Sequence, residues 1–177
     1  MHPIKNLDRR MYDLVRKFYL AANTYEAKVI VFAEILNSVT IVDCRGAVNP
    51  DEIDICAHDI VHFACVIKGI KPVAYIYDTS LEPFMTTYKN DLQSINIDQV
   101  LPNKFIVYHS DNKIKAEIFK NFVEGVNVNN SITRSEFKAK FHYILGYCLG
   151  YPKADTDYFV FRNQTVDINS YIRRLEG

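Results

Sequence analysis

Apolar side chains return at helical spacing from the start of the chain: Leu7, Met11, Leu14, Val15, Phe18 and Ala22 share a face, with Asp8, Arg9, Asp13, Arg16 and Lys17 opposite. The pattern predicts an amphipathic N-terminal helix. The next stretch, TYEAKVIVFAEILN (24–37), is apolar on most sides. Its β-branched middle suits a strand as well as a helix. Thr24 stands where an N-cap belongs, and a largely buried helix is expected.

Three segments then read as buried strands: VTIVD (39–43), PVAYIYD (72–78) and KFIVYH (104–109). Each is almost continuously apolar or aromatic, as in strands covered on both faces. Each precedes a helix start. Asn49-Pro50-Asp51-Glu52 supplies the first; Thr79 or Ser80, with Pro83 in the opening turn, the second; Ser110 or Asp111 the third, ahead of an apolar line of Ile114, Ile118 and Phe122. Strand followed by helix, repeated, predicts parallel pairing through crossover connections. GVNV (125–128) is a candidate fourth strand.

The C-terminal third reads as helical. Thr133-Arg134-Ser135-Glu136 forms a capping box, and Phe137, Phe141, Ile144, Leu145 and Cys148 make a buried stripe. No repeat, linker or low-complexity tract divides the chain. The expected fold is a small three-layer α/β domain spanning 1–177. It has a short, mostly parallel sheet of three or four strands, an N-terminal amphipathic helix and a helical C-terminal third.

HYILGYCLGYP (142–152) places two of the chain's six glycines four residues apart. Gly150 and Pro152 form a helix stop of the Schellman kind. Gly146 is interior and costs about 1 kcal/mol relative to alanine, so a close approach by backbone or ligand is expected there. His142, Gly146 and Gly150 share a face, with Tyr143, Tyr147 and Tyr151 beside it. Packing against a crossing helix is the commoner use of such a glycine; a slot for a planar ring is the functional alternative.

Parallel strands would bring Asp43-Cys44-Arg45-Gly46, Asp78-Thr79-Ser80 and His109-Ser110-Asp111 with Lys113 to one rim, where helix N-termini offer free N–H groups. Arg45 and Lys113 would meet an anion there, and Ser80 and Ser110 would donate to it. The plain alternative makes Asp78, Ser80, Ser110 and Asp111 caps and turn residues. Cys44, His109 and Asp78 are the candidates for catalysis. A thiolate needs a base within reach, and Cys44 lacks the glycine-rich loop of thiol phosphatases.

His58 and His62 stand at i, i+4, the spacing of paired metal ligands. Asp59 occupies the place of the zincin glutamate, and the pair reads as solvated, with no metal expected. Walker, G-x-G-x-x-G and G-x-S-x-G motifs are absent.

Composition narrows the partners. Twenty-one basic residues balance twenty-one acidic ones without a basic run, which disfavours nucleic acid. No apolar run is long enough for a membrane span, and the charged N-terminus has no signal-peptide core. Cys44, Cys56, Cys65 and Cys148 show no C-x-x-C pairing and read as reduced thiols, hence an intracellular, cytoplasmic chain. The Ile, Lys, Asn, Tyr and Phe bias without Trp is found in many viruses, phages and bacteria.

The expected function is binding of a small anionic, ring-containing ligand such as a nucleotide or nucleotide-derived signal, sensing or sequestering it without chemistry and without a cofactor. One alternative is a hydrolase or transferase acting on a nucleotide-like substrate. Another is a protein-interaction module that uses the first helix to hold a partner or a second copy in a homo-oligomer.

Overall fold

The computed structural model describes residues 9–21, 24–40, 59–128, 143–151, 153, 154, 156 and 157. The chain falls into two compact units, Met1–Ala116 and Glu117–Gly177.

In the first unit α1 (Arg9–Leu20) buries Met11, Val15 and Phe18, the expected stripe. α2 (Tyr25–Ser38) starts at Thr24, whose hydroxyl accepts the Ala27 N–H at 3.4 Å. The β-branched middle is helical, with Val31, Phe32 and Ile35 inward. Val39, the expected start of a strand, instead closes α2 by donating its N–H to the Ile35 carbonyl at 2.8 Å. Residues 41–43 of that strand, and the Asn49–Glu52 helix start, lie outside the described residues.

α3 (Asp59–Ile67) ends at Gly69, whose φ of 75° lets the chain reverse. Gly69 N–H donates to the Val66 carbonyl and Ile70 N–H to the Cys65 carbonyl, the two bonds of a Schellman motif. The chain then enters β1 (Val73–Ile76), a short 3₁₀ turn (Thr79–Leu81) and α4 (Glu82–Asp91). β2 (Ile95–Leu101), β3 (Lys104–His109), a second 3₁₀ turn (Ser110–Asn112) and α5 (Lys113–Val128) follow.

The fold is mixed α/β, with helices and a small three-stranded sheet in the order β1-β3-β2. The expected parallel sheet is corrected: β3 is antiparallel to both neighbours. β1 and β2 therefore run the same way, joined through α4, but β3 folds back between them in a split β–α–β arrangement. The middle of β3 is continuously apolar or aromatic because both its faces are buried, Phe105 and Val107 on one and Ile106 and Tyr108 on the other, and such a run is the same whichever way the neighbours run.

The reversal is made by Pro102 and Asn103 alone, since Leu101 pairs with Lys104. Proline fixes φ near −65°, and Asn103 has φ 63°, giving the φ signs of a type II turn. Asn103→Val should cost about 1 kcal/mol in urea unfolding, because a branched side chain disfavours that conformation. Asn103→Gly should be close to neutral.

Ala74, Ile76, Ile95, Phe105 and Val107 join one core with α1 to α4. Phe32 is its hub, with ring contacts to Phe18, Phe63, Phe84 and Tyr88 at centroid distances of 5.1 to 6.4 Å. Val73, Tyr75, Tyr77, Lys104, Ile106 and Tyr108 belong to the opposite face of the sheet, by the β1–β3 register.

α5 corrects two expectations. The GVNV segment is its last turn and not a strand. Its buried line is Ala116, Phe119 and Val123, whereas Ile114 and Ile118 are 75% and 41% exposed. In the second unit residues 143–149 are helical, and the capping box at 133–136 lies outside the described residues. Gly150 has φ 79°, its N–H donates to the Tyr147 carbonyl and the Tyr151 N–H to the Gly146 carbonyl. The expected Schellman stop is present. Among the described residues no helix is long and apolar enough to cross a membrane.

Candidate functional site

Antiparallel pairing separates the residues expected on one rim. Asp78 and Ser80 follow the end of β1, beside the start of β3, because Ile76 pairs with Phe105. His109, Ser110 and Lys113 follow the end of β3, where His109 pairs with Ile95. Four residues of strand, roughly 13 Å, separate the two groups. Cys44, Arg45, His58 and His142 lie outside the described residues, and Gly146, Tyr147 and Tyr151 belong to the second unit.

At the end of β1 several side chains converge. Asp59, at the start of α3, is only 4% exposed, and its Oδ2 accepts the N–H groups of Tyr77 (2.6 Å) and Asp78 (2.7 Å). Asp78 accepts the Tyr19 hydroxyl of α1 on Oδ2 (2.8 Å) and the Ser80 N–H on Oδ1 (2.9 Å). Asp78, one residue ahead of the expected caps, is thus the cap of the turn that opens α4. The Asp59 carboxyl is pushed up to about 6, burial being the largest cause; the two N–H donors and Lys71 oppose the rise, and the Asp78 charge adds to it.

On the same corner Tyr77 is 44% exposed, and its ring is tilted against Tyr75 with centroids 4.4 Å apart. The Lys104 ammonium lies 5.3 Å from the Tyr77 centroid, a cation–π distance. Because the ammonium lies over the ring and Tyr75 packs against that ring, a planar anionic molecule that stacks on Tyr77 would take the ammonium's place over it and keep the ammonium as a counter-charge at its edge. Sequence reasoning missed Tyr77 and Lys104; the signal was the alternation of Tyr75 and Tyr77 as the strand leaves the sheet.

The other clusters are tied to local structure. At the opposite end, Ser110 Oγ donates to the Ser94 carbonyl (3.0 Å) and accepts from Asn96 Nδ2 (3.0 Å). His109 Nδ1 lies 3.4 Å from both the Asp111 N–H nitrogen and an Asp111 carboxylate oxygen. These contacts shape the turn into α5. His62 Nδ1 faces the Lys71 ammonium at 3.4 Å, which directs that nitrogen to an amine. Among the described residues no group of three or more His, Cys, Asp or Glu is placed to hold a metal ion.

In the second unit Tyr143 donates to Asp157 (2.8 Å), as does Lys153 (2.9 Å). The bond to Asp157 raises Tyr143, and the Lys153 and Tyr143 bonds lower Asp157. Tyr147 is 59% exposed. The space over Gly146 is filled by Thr156: a Cβ built on the glycine would lie 2.8 Å from Thr156 Cγ2 and closer still to Oγ1. The close approach that the interior glycine requires is made by this side chain, itself 7% exposed.

Comparison of the chain with known protein families, with curated proteins and with solved structures finds no match.

Proposed function

We propose that the chain binds a small anionic ligand carrying a planar ring, of nucleotide type, without transforming it, at the corner formed by the end of β1 and the start of β3. The observation that carries this reading is the exposed Tyr77, packed against Tyr75 and with the Lys104 ammonium over its ring, a cation–π contact that a planar anion could replace while keeping the ammonium as its counter-charge. Stacking supplies affinity because a ring buried on an aromatic face contributes about 1–3 kcal/mol. Lys104 selects for negative charge. The hydroxyls of Thr79 and Ser80, both exposed in the adjoining turn, add polar partners.

The test is thermal unfolding of the full chain with a panel of mono-, di- and cyclic nucleotides at increasing concentration. A ligand that binds the folded state alone raises the melting temperature as its concentration passes Kd. Tyr77→Ala and Lys104→Gln should each weaken the response about tenfold. Both positions are solvent-facing enough for the free protein's melting temperature to change little. Recovery of the nucleotide unchanged supports a binder over a hydrolase or transferase. A panel that shifts nothing at millimolar concentration sinks the reading.

A second reading, a protein-interaction module, is favoured by α5 and not by α1. The apolar stripe of α1 is consumed in the core, whereas Ile114 and Ile118 stand exposed at i, i+4 on α5.

A further inference from the structure

The two edges of the sheet differ. At the end of β1, Asp59 from α3 takes the N–H groups of Tyr77 and Asp78. β2 forms the other edge and is the longer strand, seven residues against four. Ser110 donates its N–H to the Ser94 carbonyl at 2.9 Å, one step beyond the Ile95–His109 pair. The hydrogen-bonded pairs of β2 with β3 are therefore Asn96–Tyr108 and Asp98–Ile106, and the backbone groups of Ile95, Ile97 and Gln99 point away from β3. The Leu92 carbonyl takes the Ile95 N–H at 3.2 Å. Among the described residues no backbone bond reaches the Ile95 carbonyl or the outward groups of Ile97 and Gln99.

We propose that this edge pairs with β2 of a second copy, antiparallel about a two-fold axis at Ile97 and normal to the sheet, so that the two three-stranded sheets become one. An open row of backbone donors and acceptors is a template for another strand. The side chains of β2 are complementary to their own two-fold image. With Ile97 opposite Ile97, the Gln99 N–H meets the Ile95 carbonyl of the second copy, and the Ile97 N–H meets the Ile97 carbonyl. Asn96 then faces Asp98 of the second copy in a non-hydrogen-bonded pair, where opposing side chains are closest. Both have capacity for that contact. Asn96 spends one amide hydrogen on Ser110 Oγ (3.0 Å), and Asp98 accepts the Tyr108 hydroxyl on Oδ2 (2.9 Å), which leaves the second hydrogen for Oδ1. Charge fixes the register, because an axis at Asp98 would set two carboxylates face to face. The bulge between Gln99 and Leu101 ends the ladder at Gln99.

Gln99→Pro separates this pairing from the fold. The Gln99 side chain is exposed and its N–H points outward, so proline removes no bond to β3. Asp98 before it is already extended, as the residue preceding proline must be. Asn96→Asp tests the register, since it puts a carboxylate opposite Asp98 of the second copy.

The deciding experiment is sedimentation equilibrium of the full chain from about 0.01 mM to about 1 mM, with amide hydrogen exchange read at both ends of the range. A dimer should form within it, and protection of the Ile97 and Gln99 amides should rise with concentration. Gln99→Pro and Asn96→Asp should each weaken association at least about tenfold, with the melting temperature of the dilute chain little changed. A chain that stays monomeric at about 1 mM overturns the proposal, as does a dimer whose Ile97 and Gln99 amides remain unprotected. Should Gln99→Pro fail to fold, Asn96→Asp decides. A dimer indifferent to both substitutions but lost in Ile118→Lys would place the contact on α5 and equally overturn it. The outer edge of β2 lies across β3 from Tyr77, so the pairing is independent of whether that corner holds a ligand.

Discussion

Phe32→Ala is expected to remove about 4 kcal/mol of folding stability. The side chain is fully buried in α2 and meets four other rings: Phe63 and three in edge-on contact, Phe18, Phe84 and Tyr88. These rings come from α1, α3 and α4, so the cavity left by truncation opens between elements distant in sequence and collapses only by moving helices. Edge-to-face pairs add about 0.5–1.5 kcal/mol each beyond area burial, which keeps the loss above the low end of the roughly 3–5 kcal/mol usual for a core phenylalanine. Domains of this kind have about 5–15 kcal/mol in all. In urea unfolding the midpoint should fall by about 2 M. Phe32→Leu keeps most of the volume and should cost about 1.5 kcal/mol. A loss below about 1 kcal/mol for the alanine variant would show that the aromatic cluster does not organise this core.

The elements most legible in the sequence were those specified by local rules. The stripe of α1, the Thr24 cap, the two apolar strands at 72–78 and 104–109 and the glycine stop at Gly150 each depend on neighbours within a few residues. Strand direction does not. A continuous apolar run reports that a strand is covered on both faces, as β3 is from Phe105 to Tyr108, and it says nothing of direction, so parallel and antiparallel sheets give the same run. The edge strand β2 was not recognised, although Ile95, Ile97 and Val100 alternate with Asn96, Asp98 and Gln99, a pattern interrupted by a bulge between Gln99 and Leu101. With its hairpin turn at Pro102-Asn103 unrecognised, the crossover after β1 led to the wrong neighbour. On α5 two apolar lines coexist, and periodicity alone cannot say which one faces inward.

The site suffered most from this error because its residues were gathered by topology. Once β3 reverses, Asp78 and His109 stand at opposite ends of the sheet. The corner at Tyr77 and Lys104 is created by that same reversal, which sets the start of β3 beside the end of β1. Asp59 was equally invisible: in HDIVHF it reads as a polar position on a helix, and its burial follows from α3 folding back along β1 to meet two amides nearly twenty residues ahead.

Gly146→Leu is the second large effect, expected to cost about 3 kcal/mol, because it drives a branched side chain into space that Thr156 fills. Gly146→Ala separates two opposing contributions. The added methyl gains about 1 kcal/mol of helix propensity. It also meets Thr156 Cγ2 at 2.8 Å and Oγ1 more closely, and overpacking of this kind costs about 1–3 kcal/mol, so the net change is destabilising. Thr156→Ala removes both offending atoms and leaves the Cβ at 3.1 Å, a contact that a shift of a few tenths of an ångström relieves. In that background Gly146→Ala should turn from destabilising to neutral or mildly stabilising, giving a coupling of about 1–2 kcal/mol in a double-mutant cycle read by urea unfolding of the full chain. Additive single changes would mean that Thr156 is not what the glycine makes room for, and would return Gly146 to the question of a ligand slot.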